Sequence, residues 1–358
     1  MDVQPASDGS PAGSALRLRC GVTLKNRLVK AAMSDSLGDG AGGATGAQLR
    51  LYRRWLSGGA ALSVIGEVQV DPRFPETPGN LVLDGNVDVV PMRRLAELAA
   101  SHDAHIWPQL GHAGALSYRP VSDPAGPSEL QHNRLRCSEM SVSEIEKVPE
   151  LFGSAAKRSK QLGFSGVEIH GAHGFLLSQF LSPLFNRRTD GYGGSIEARS
   201  RLLLDVVDHV RGDVGPDFAV AVKLNATDEL QNGLSESDAL SVIEMLGQRG
   251  VDLVDISGGT YYPGAAAASD RAPSGPYYAA FAHRARQVTD SALMLTGGIK
   301  TRRDAEQLLN DRTVDLVGLA RSLVLDPDLP GKWLTAEGSD PEFPRFDAPP
   351  EGGITAWY

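Results

Sequence analysis

The sequence predicts a single α/β domain built as a closed (β/α)8 barrel of the TIM-barrel class, and three observations carry that expectation. Eight short apolar runs rich in Val, Ile and Leu recur along the chain. Amphipathic stretches of helical period lie between them, which is the spacing of βα units. No dinucleotide fingerprint comes after the first run, because the glycine-rich stretch Gly38-Asp39-Gly40-Ala41-Gly42-Gly43 has neither a strand feeding it directly nor a helix opening from it. An open doubly wound sheet usually has five or six strands, so eight units favour closure.

Taken in order, the expected strands are residues 28–33, 62–68, 105–110, 166–170, 219–225, 253–257, 293–297 and 316–320. Helical patterns cover 89–101, 143–162, 196–210, 235–249 and 302–309, with Ser143 and Glu146 in capping-box spacing. Residues 1–15 read as a disordered lead-in, 16–338 as the barrel, and 339–358 as a tail. The lead-in lacks a positive n-region and an apolar h-region, so no secretory signal is expected. The tail ends in Trp357-Tyr358, and terminal aromatics favour docking, on the barrel or on a neighbouring subunit of a homo-oligomer. Residues 334–358 are too few for a further dinucleotide domain.

Composition narrows the partners. The 358 residues carry 35 Lys+Arg against 44 Asp+Glu, a formal net charge of −9, which disfavours a basic face for nucleic acid. No run of 18 apolar residues exists, so no membrane span is expected and the protein reads as cytoplasmic with a small-molecule substrate. A chain this long buries roughly three quarters of its unfolded surface and needs no disulfide or metal to fold. Cys20 and Cys137 fall short of the four thiolates of an iron-sulfur cluster or a Cys-rich zinc site. No metal is expected.

A barrel puts its chemistry at the C-terminal ends of its strands. The fourth strand ends in His170-Gly171-Ala172-His173-Gly174-Phe175. The two imidazoles are either packed loop histidines or a pair of N–H donors converging on one carbonyl oxygen, and zinc would need a third ligand. Thr296-Gly297-Gly298 closes the seventh strand and Gly318-Leu319-Ala320-Arg321 the eighth. A glycine pair alone is a tight turn; beside a strand-end arginine it reads as a phosphate site. Lys223, inside the apolar run Val220-Ala221-Val222-Lys223-Leu224-Asn225, is costly to bury unless an anion pairs with it, or it snorkels to the rim.

The stretch Leu181-Ser182-Pro183-Leu184-Phe185-Asn186-Arg187-Arg188-Thr189-Asp190-Gly191-Tyr192-Gly193-Gly194-Ser195 resembles the signature of the old yellow enzyme family of FMN-dependent oxidoreductases. The likeness is in particular to the bacterial branch that includes the FMN domain of dienoyl-CoA reductase. Leu24-Lys25-Asn26-Arg27, Gln109-Leu110-Gly111-His112-Ala113-Gly114 and Thr296-Gly297-Gly298-Ile299 match as well, and the resemblance runs from about Leu16 to Trp333. It implies a non-covalent FMN whose phosphate lies on Gly297, Gly298, Ala320 and Arg321. It implies Lys223 beside the pyrimidine, where the anion developing on reduction partners its charge, and Gln109 bonded to the same edge. Ala32 and Met33 would touch the flavin through their backbone, and Ser34 would stand where relatives carry Thr or Cys near a flavin carbonyl. His170 and His173 would hold the substrate.

The reaction this resemblance implies is an NAD(P)H-driven reduction of an alkene conjugated to a carbonyl, with NADH and NADPH both open as donors. Two departures bear on it. Phe175 replaces the tyrosine that protonates substrate in relatives, and Ala115-Leu116 stand where a catalytic Arg or Lys often follows the HAG motif. The proton would then come from the substrate, from a water, or from a loop hydroxyl of Tyr118, Tyr261 or Tyr262. The alternatives are oxidation or demethylation of an amine, dehydrogenation of a cyclic substrate, or a barrel that binds without catalysing.

Overall fold

The computed structural model describes residues 9–84, 89–132, 135–262 and 275–344, with Glu67 as backbone only. The eight expected strands are all present: β1 Leu28–Lys30, β2 Leu62–Gln69, β3 His105–Gly111, β4 Gly166–Gly171, β5 Ala219–Asn225, β6 Leu253–Ser257, β7 Ala292–Thr296 and β8 Leu316–Leu319. Neighbours pair in parallel, and β8 returns to β1, so the sheet closes on itself. Helices α1 Gly46–Ser57, α2 Val90–Ala100, α3 Val148–Gln161, α4 Ile196–Val214, α5 Glu236–Gln248, α6 Ala279–Ala285 and α7 Arg302–Asn310 connect them, and α8 Leu329–Thr335 comes after β8. Strands buried on both faces explain the near-continuous apolar runs.

Alternation along the strands divides the core. Outward residues such as Leu28, Val167, Ile169, Val222 and Val254 pack under the helices. Inward residues Val29, Leu62, Val64, Trp107, Ala219, Ala221, Leu253, Met294 and Leu316 fill the barrel floor, with Leu18 and Leu24 packed against them. Leu24 belongs to an antiparallel hairpin, Leu16–Arg17 with Thr23–Leu24, so the hairpin plugs the bottom of the barrel. Each Val, Leu or Met among them is worth roughly 1.5–3 kcal/mol when fully buried, and together the floor residues hold the base rigid beneath the mouth.

Beyond shifts of one to four residues at several element ends, three features differ from expectation. β1 stops at Lys30 rather than continuing to residue 33, because Ala32 and Met33 peel off the ladder toward β2. There they fit only over glycine: a Cβ on Gly66 would lie 2.3 Å from the Met33 carbonyl carbon. The capping box is Ser141 with Glu144, two residues earlier than expected. The helix it opens, Val142–Ile145, ends before α3 because Pro149 lacks the N–H that a continuous helix would need. The described part of the lead-in is ordered: Pro11–Gly13 forms a 3-10 turn, Ala12 is buried, and Arg27 N–H donates to Ala12 O at 2.9 Å. The tail from residue 345 onward, with its expected docking, lies outside the described residues. No helix among the described residues is long and apolar enough to cross a membrane.

Candidate active site

Above the apolar floor, the inward positions of β3 to β7 carry Gln109, Glu168, Lys223, Asp255 and Thr296. Register alone brings them together, with Glu168 opposite Gln109 and Lys223 opposite Asp255. Lys223 Nζ donates to Asp255 Oδ2, Thr296 Oγ1 to Asp255 Oδ1 at 2.8 Å, and Gln109 Nε2 to Glu168 Oε1 at 2.7 Å. Glu168 and Asp255 are 0% exposed and Lys223 is 1% exposed. Burial alone would lower the lysine's pKa, but Asp255, by its charge and its hydrogen bond, with Glu168 adding to it, outweighs burial and holds the ammonium above the ordinary range. The expectation that Lys223 draws its counter-charge from a ligand is therefore corrected: Asp255 supplies it from within the barrel.

One layer higher, β4 ends in the histidines. Their rings meet edge to face, centroids 5.2 Å apart. His170 Nδ1 accepts from Ala172 N–H at 3.4 Å, which leaves the ring proton on Nε2. His173 Nε2 lies 2.8 Å from Ser257 Oγ at the end of β6, and its backbone N–H donates to Asn225 Oδ1 at 3.1 Å. His173 has φ 60°, a strained left-handed conformation that the Asn225 bond and the parallel bridge to Thr260 hold in place. Burial first, then the Lys223 charge, drives His170 down to about 3; burial and His170 push His173 well below its usual range. Both rings are neutral at pH 7.

Phe175 is buried, its ring 4.8 Å from that of His170. Of the three loop tyrosines, the structure brings one to the pair. Tyr261 lies 5.9 Å from the His173 ring and 5.8 Å from the Phe175 ring and is 56% exposed. Tyr262 instead stacks on His132 and meets Phe185, and Tyr118 stands exposed on its own loop.

The third group lies across the mouth, after β7 and β8. Gly297 and Gly298 have φ 126° and 78°, and a Cβ on Gly298 would lie 2.2 Å from Gly275 O. With Lys300, Arg321 and Phe343 they line a cavity of about 50 Å³. The helix Arg321–Leu325 is only five residues long, so the cradle rests on loop amides and the two cations rather than on a helix dipole. At the remaining edge, Ser34 is exposed and its Oγ accepts from Asn80 Nδ2 at 3.4 Å. Asn80 is fixed in turn by the Glu76 and Thr77 N–H groups on its Oδ1, at 2.8 and 2.9 Å.

The family described as NADH:flavin oxidoreductase / NADH oxidase matches residues 17–336. The chain belongs to the NADH:flavin oxidoreductase family. It is 32% identical over 351 residues to the NADH-dependent flavin oxidoreductase iliE of Hypocrea jecorina (strain QM6a), covering 88% of this chain and 86% of that one. It is 35% identical over 319 residues to an NADPH dehydrogenase of Geobacillus sp. (strain WCH70), covering 87% and 90%. Other relatives are longer, and the chain spans 49% of the NADH oxidase of Thermoanaerobacter brockii. A solved structure of morphinone reductase in complex with tetrahydroNAD superposes with TM-score 0.77 at 26% identity, covering 93% of each chain. An old yellow enzyme homologue from Zymomonas mobilis, at 21% identity and TM-score 0.80, shares the fold.

As a member of the NADH:flavin oxidoreductase family, the protein is an FMN-dependent NAD(P)H oxidoreductase. Its residues fit that group. The hydroxyl of Tyr277, whose ring packs on Gly298, is buried with no hydrogen-bond partner, and Gly298 lets that ring and Gly275 O approach more closely than a side chain would permit. No cluster of three or more His, Cys, Asp or Glu among the described residues could hold a metal.

The sequence alone points to most of the rim but not to Asp255, Glu168, Ser257, Asn80, Lys300 or Phe343. The two carboxylates carry a usable signal: Val167-Glu168-Ile169 and Val254-Asp255-Ile256 each set an acid between two core residues of an apolar strand. Ser257, Asn80 and Phe343 carry none, since only the closed barrel brings them to the site.

Proposed function

We propose that the protein reduces an alkene conjugated to a carbonyl, with His170 and His173 holding the carbonyl oxygen and Tyr261 giving the proton. The observation that carries this is the neutral histidine pair at the end of β4, beside the buried polar layer of Gln109, Glu168, Lys223 and Asp255. When bound, FMN supplies a hydride carrier loaded by NAD(P)H and discharged to the organic substrate. Lys223 and Gln109 would hold the pyrimidine edge, Ser34 a flavin carbonyl, Ala32 and Met33 the ring through their backbone, and Gly297, Gly298, Ala320, Lys300 and Arg321 the phosphate.

Neutral imidazoles are donors of fixed direction, so each must place its one N–H correctly. Ala172 N–H fixes that proton on Nε2 of His170. A proton donated by Ser257 Oγ to Nε2 would keep the His173 ring proton on Nδ1. A donor aimed at developing oxyanion charge is worth about 3 kcal/mol, so two neutral rings suffice to stabilise the enolate without a charged acid nearby. The β carbon receives the hydride and the α carbon a proton. Phe175 has none to give, whereas the Tyr261 hydroxyl sits on the adjoining loop.

Anaerobic titration tests the reading. NADH or NADPH should bleach the flavin absorbance and cyclohexenone should restore it. Bleaching by an amine or a cyclic alcohol instead, with no response to enones, would reverse the direction of organic chemistry and overturn the proposal.

A further inference from the structure

The Lys223 layer contains one carboxyl more than its lysine can neutralise. Asp255 spends both oxygens, one on Lys223 and one on Thr296. Glu168 spends Oε1 on Gln109, while its Oε2 is buried with no hydrogen-bond partner when both carboxyls are treated as acceptors. Yet the Glu168 and Asp255 side chains lie within hydrogen-bond reach of each other. Two ionised carboxylates can only repel at that range, and an orphaned buried anion costs several kcal/mol. A single proton on Oε2 resolves both problems. It turns the orphan into a donor toward Asp255 and closes an unbroken chain from Gln109 through Glu168 and Asp255 to Lys223 and Thr296.

We propose that Glu168 is a positioning residue that carries this shared proton in the resting enzyme, fixes Gln109 and Lys223 toward the pyrimidine, and binds its proton more tightly when the cofactor is reduced. The titratable groups facing it are Lys223 on β5, Asp255 on β6, Lys30 on β1 at longer range, and His170 on its own strand, which is neutral. Gln109 on β3 and Thr296 on β7 bear no charge. Burial raises Glu168 to about 8, Lys223 pulls it down and Asp255 pushes it up. Reduction places negative charge near Lys223, which weakens the cation's hold on Glu168 and raises its affinity for a proton further. The electrons come from NAD(P)H and the proton from solvent, so charge balances without any new reactant.

The inference rests on the FMN reading for its redox half only. Midpoint potentials of the holoenzyme are measured from pH 6 to pH 10 for wild type and Glu168→Gln, which keeps the shape, the Gln109 bond and a donor to Asp255. Above about pH 8 the wild-type potential should fall about 30 mV per pH unit more steeply than that of the variant, the slope of one extra proton in a two-electron couple. Infrared spectra at pH 7 should contain a protonated-carboxyl stretch that the variant lacks, whether or not flavin is loaded. Equal slopes in two flavin-loaded proteins, or no such band, would overturn the assignment. A colourless protein that retains the band would instead break the flavin reading and leave the proton in place.

Discussion

Exchanging Tyr261 for phenylalanine removes the tyrosine hydroxyl whose ring stands with His173 and Phe175 at the end of β4. General acid catalysis is worth about 10²- to 10⁴-fold, so Tyr261→Phe should slow reoxidation of the reduced enzyme by cyclohexenone by that factor. Reduction by NAD(P)H should be unaffected. Phe175→Tyr should add little to wild type but restore the Tyr261→Phe variant, and stopped-flow of each half-reaction separates these outcomes. His170→Ala should cost about 10²–10³ in the same step through loss of one oxyanion donor, with a weaker shift of the flavin spectrum on enone binding. The histidines and Phe175 are legible in the sequence because their order along the chain is their order in space. Tyr261 is one of three candidates there, and only the β6 loop brings it, and not Tyr118 or Tyr262, to the pair.

Elements set where these residues can stand. All eight strands are readable because a strand buried on both faces is apolar over most of its length, and that pattern survives without knowledge of partners. Their ends are less readable. The apolar run of β1 reaches residue 33, yet the strand stops at Lys30 because the space over Gly66, a property of the neighbouring strand, decides where the chain leaves the sheet. The glycine loop after β7 obeys the same logic. Gly298→Ala puts a methyl 2.2 Å from Gly275 O at φ 78°, so the loop must shift while the barrel below it stays packed. Equilibrium dialysis should show FMN affinity lowered at least tenfold, about 1.4 kcal/mol, with the far-ultraviolet circular dichroism of the apoprotein unchanged. A variant that unfolds would show the loop to be part of the core instead.

The whole molecule carries the electrostatic cost of its polar layer. Glu168 has a folded pKa raised to about 8 from an ordinary 4.5. The native state therefore holds more protons than the unfolded chain between those values, and stability falls as pH rises through that window. Lys30 runs the other way: burial lowers it to about 7 from 10.5, partly offset by Asp35 and Glu168, so its contribution rises with pH between those values. Its ammonium sits 4.5 Å from the Trp55 ring under α1 and donates to Val64 O at 2.8 Å. Thermal midpoints of the apoprotein measured from pH 5 to pH 8 should fall more steeply for wild type than for Glu168→Gln. Parallel profiles would mean that Glu168 is ionised in the native barrel.

The join between β8 and β1 also governs when the protein can begin to work. Val317 pairs with Leu28 across almost the whole length of the barrel sequence. At roughly 5–20 residues per second, the ribosome delivers β8 about 15 to 60 s after β1. Throughout that interval the nascent sheet has two raw edges and an exposed apolar face, the state that folding helpers recognise. On the proposed assignment, the pyrimidine edge held by Gln109 on β3 and Lys223 on β5 would be made before the phosphate grip on β7 and β8. Flavin capture would then be a late event of biosynthesis, and nascent chains stalled before Arg321 leaves the exit tunnel should carry no bound flavin once free FMN is washed away.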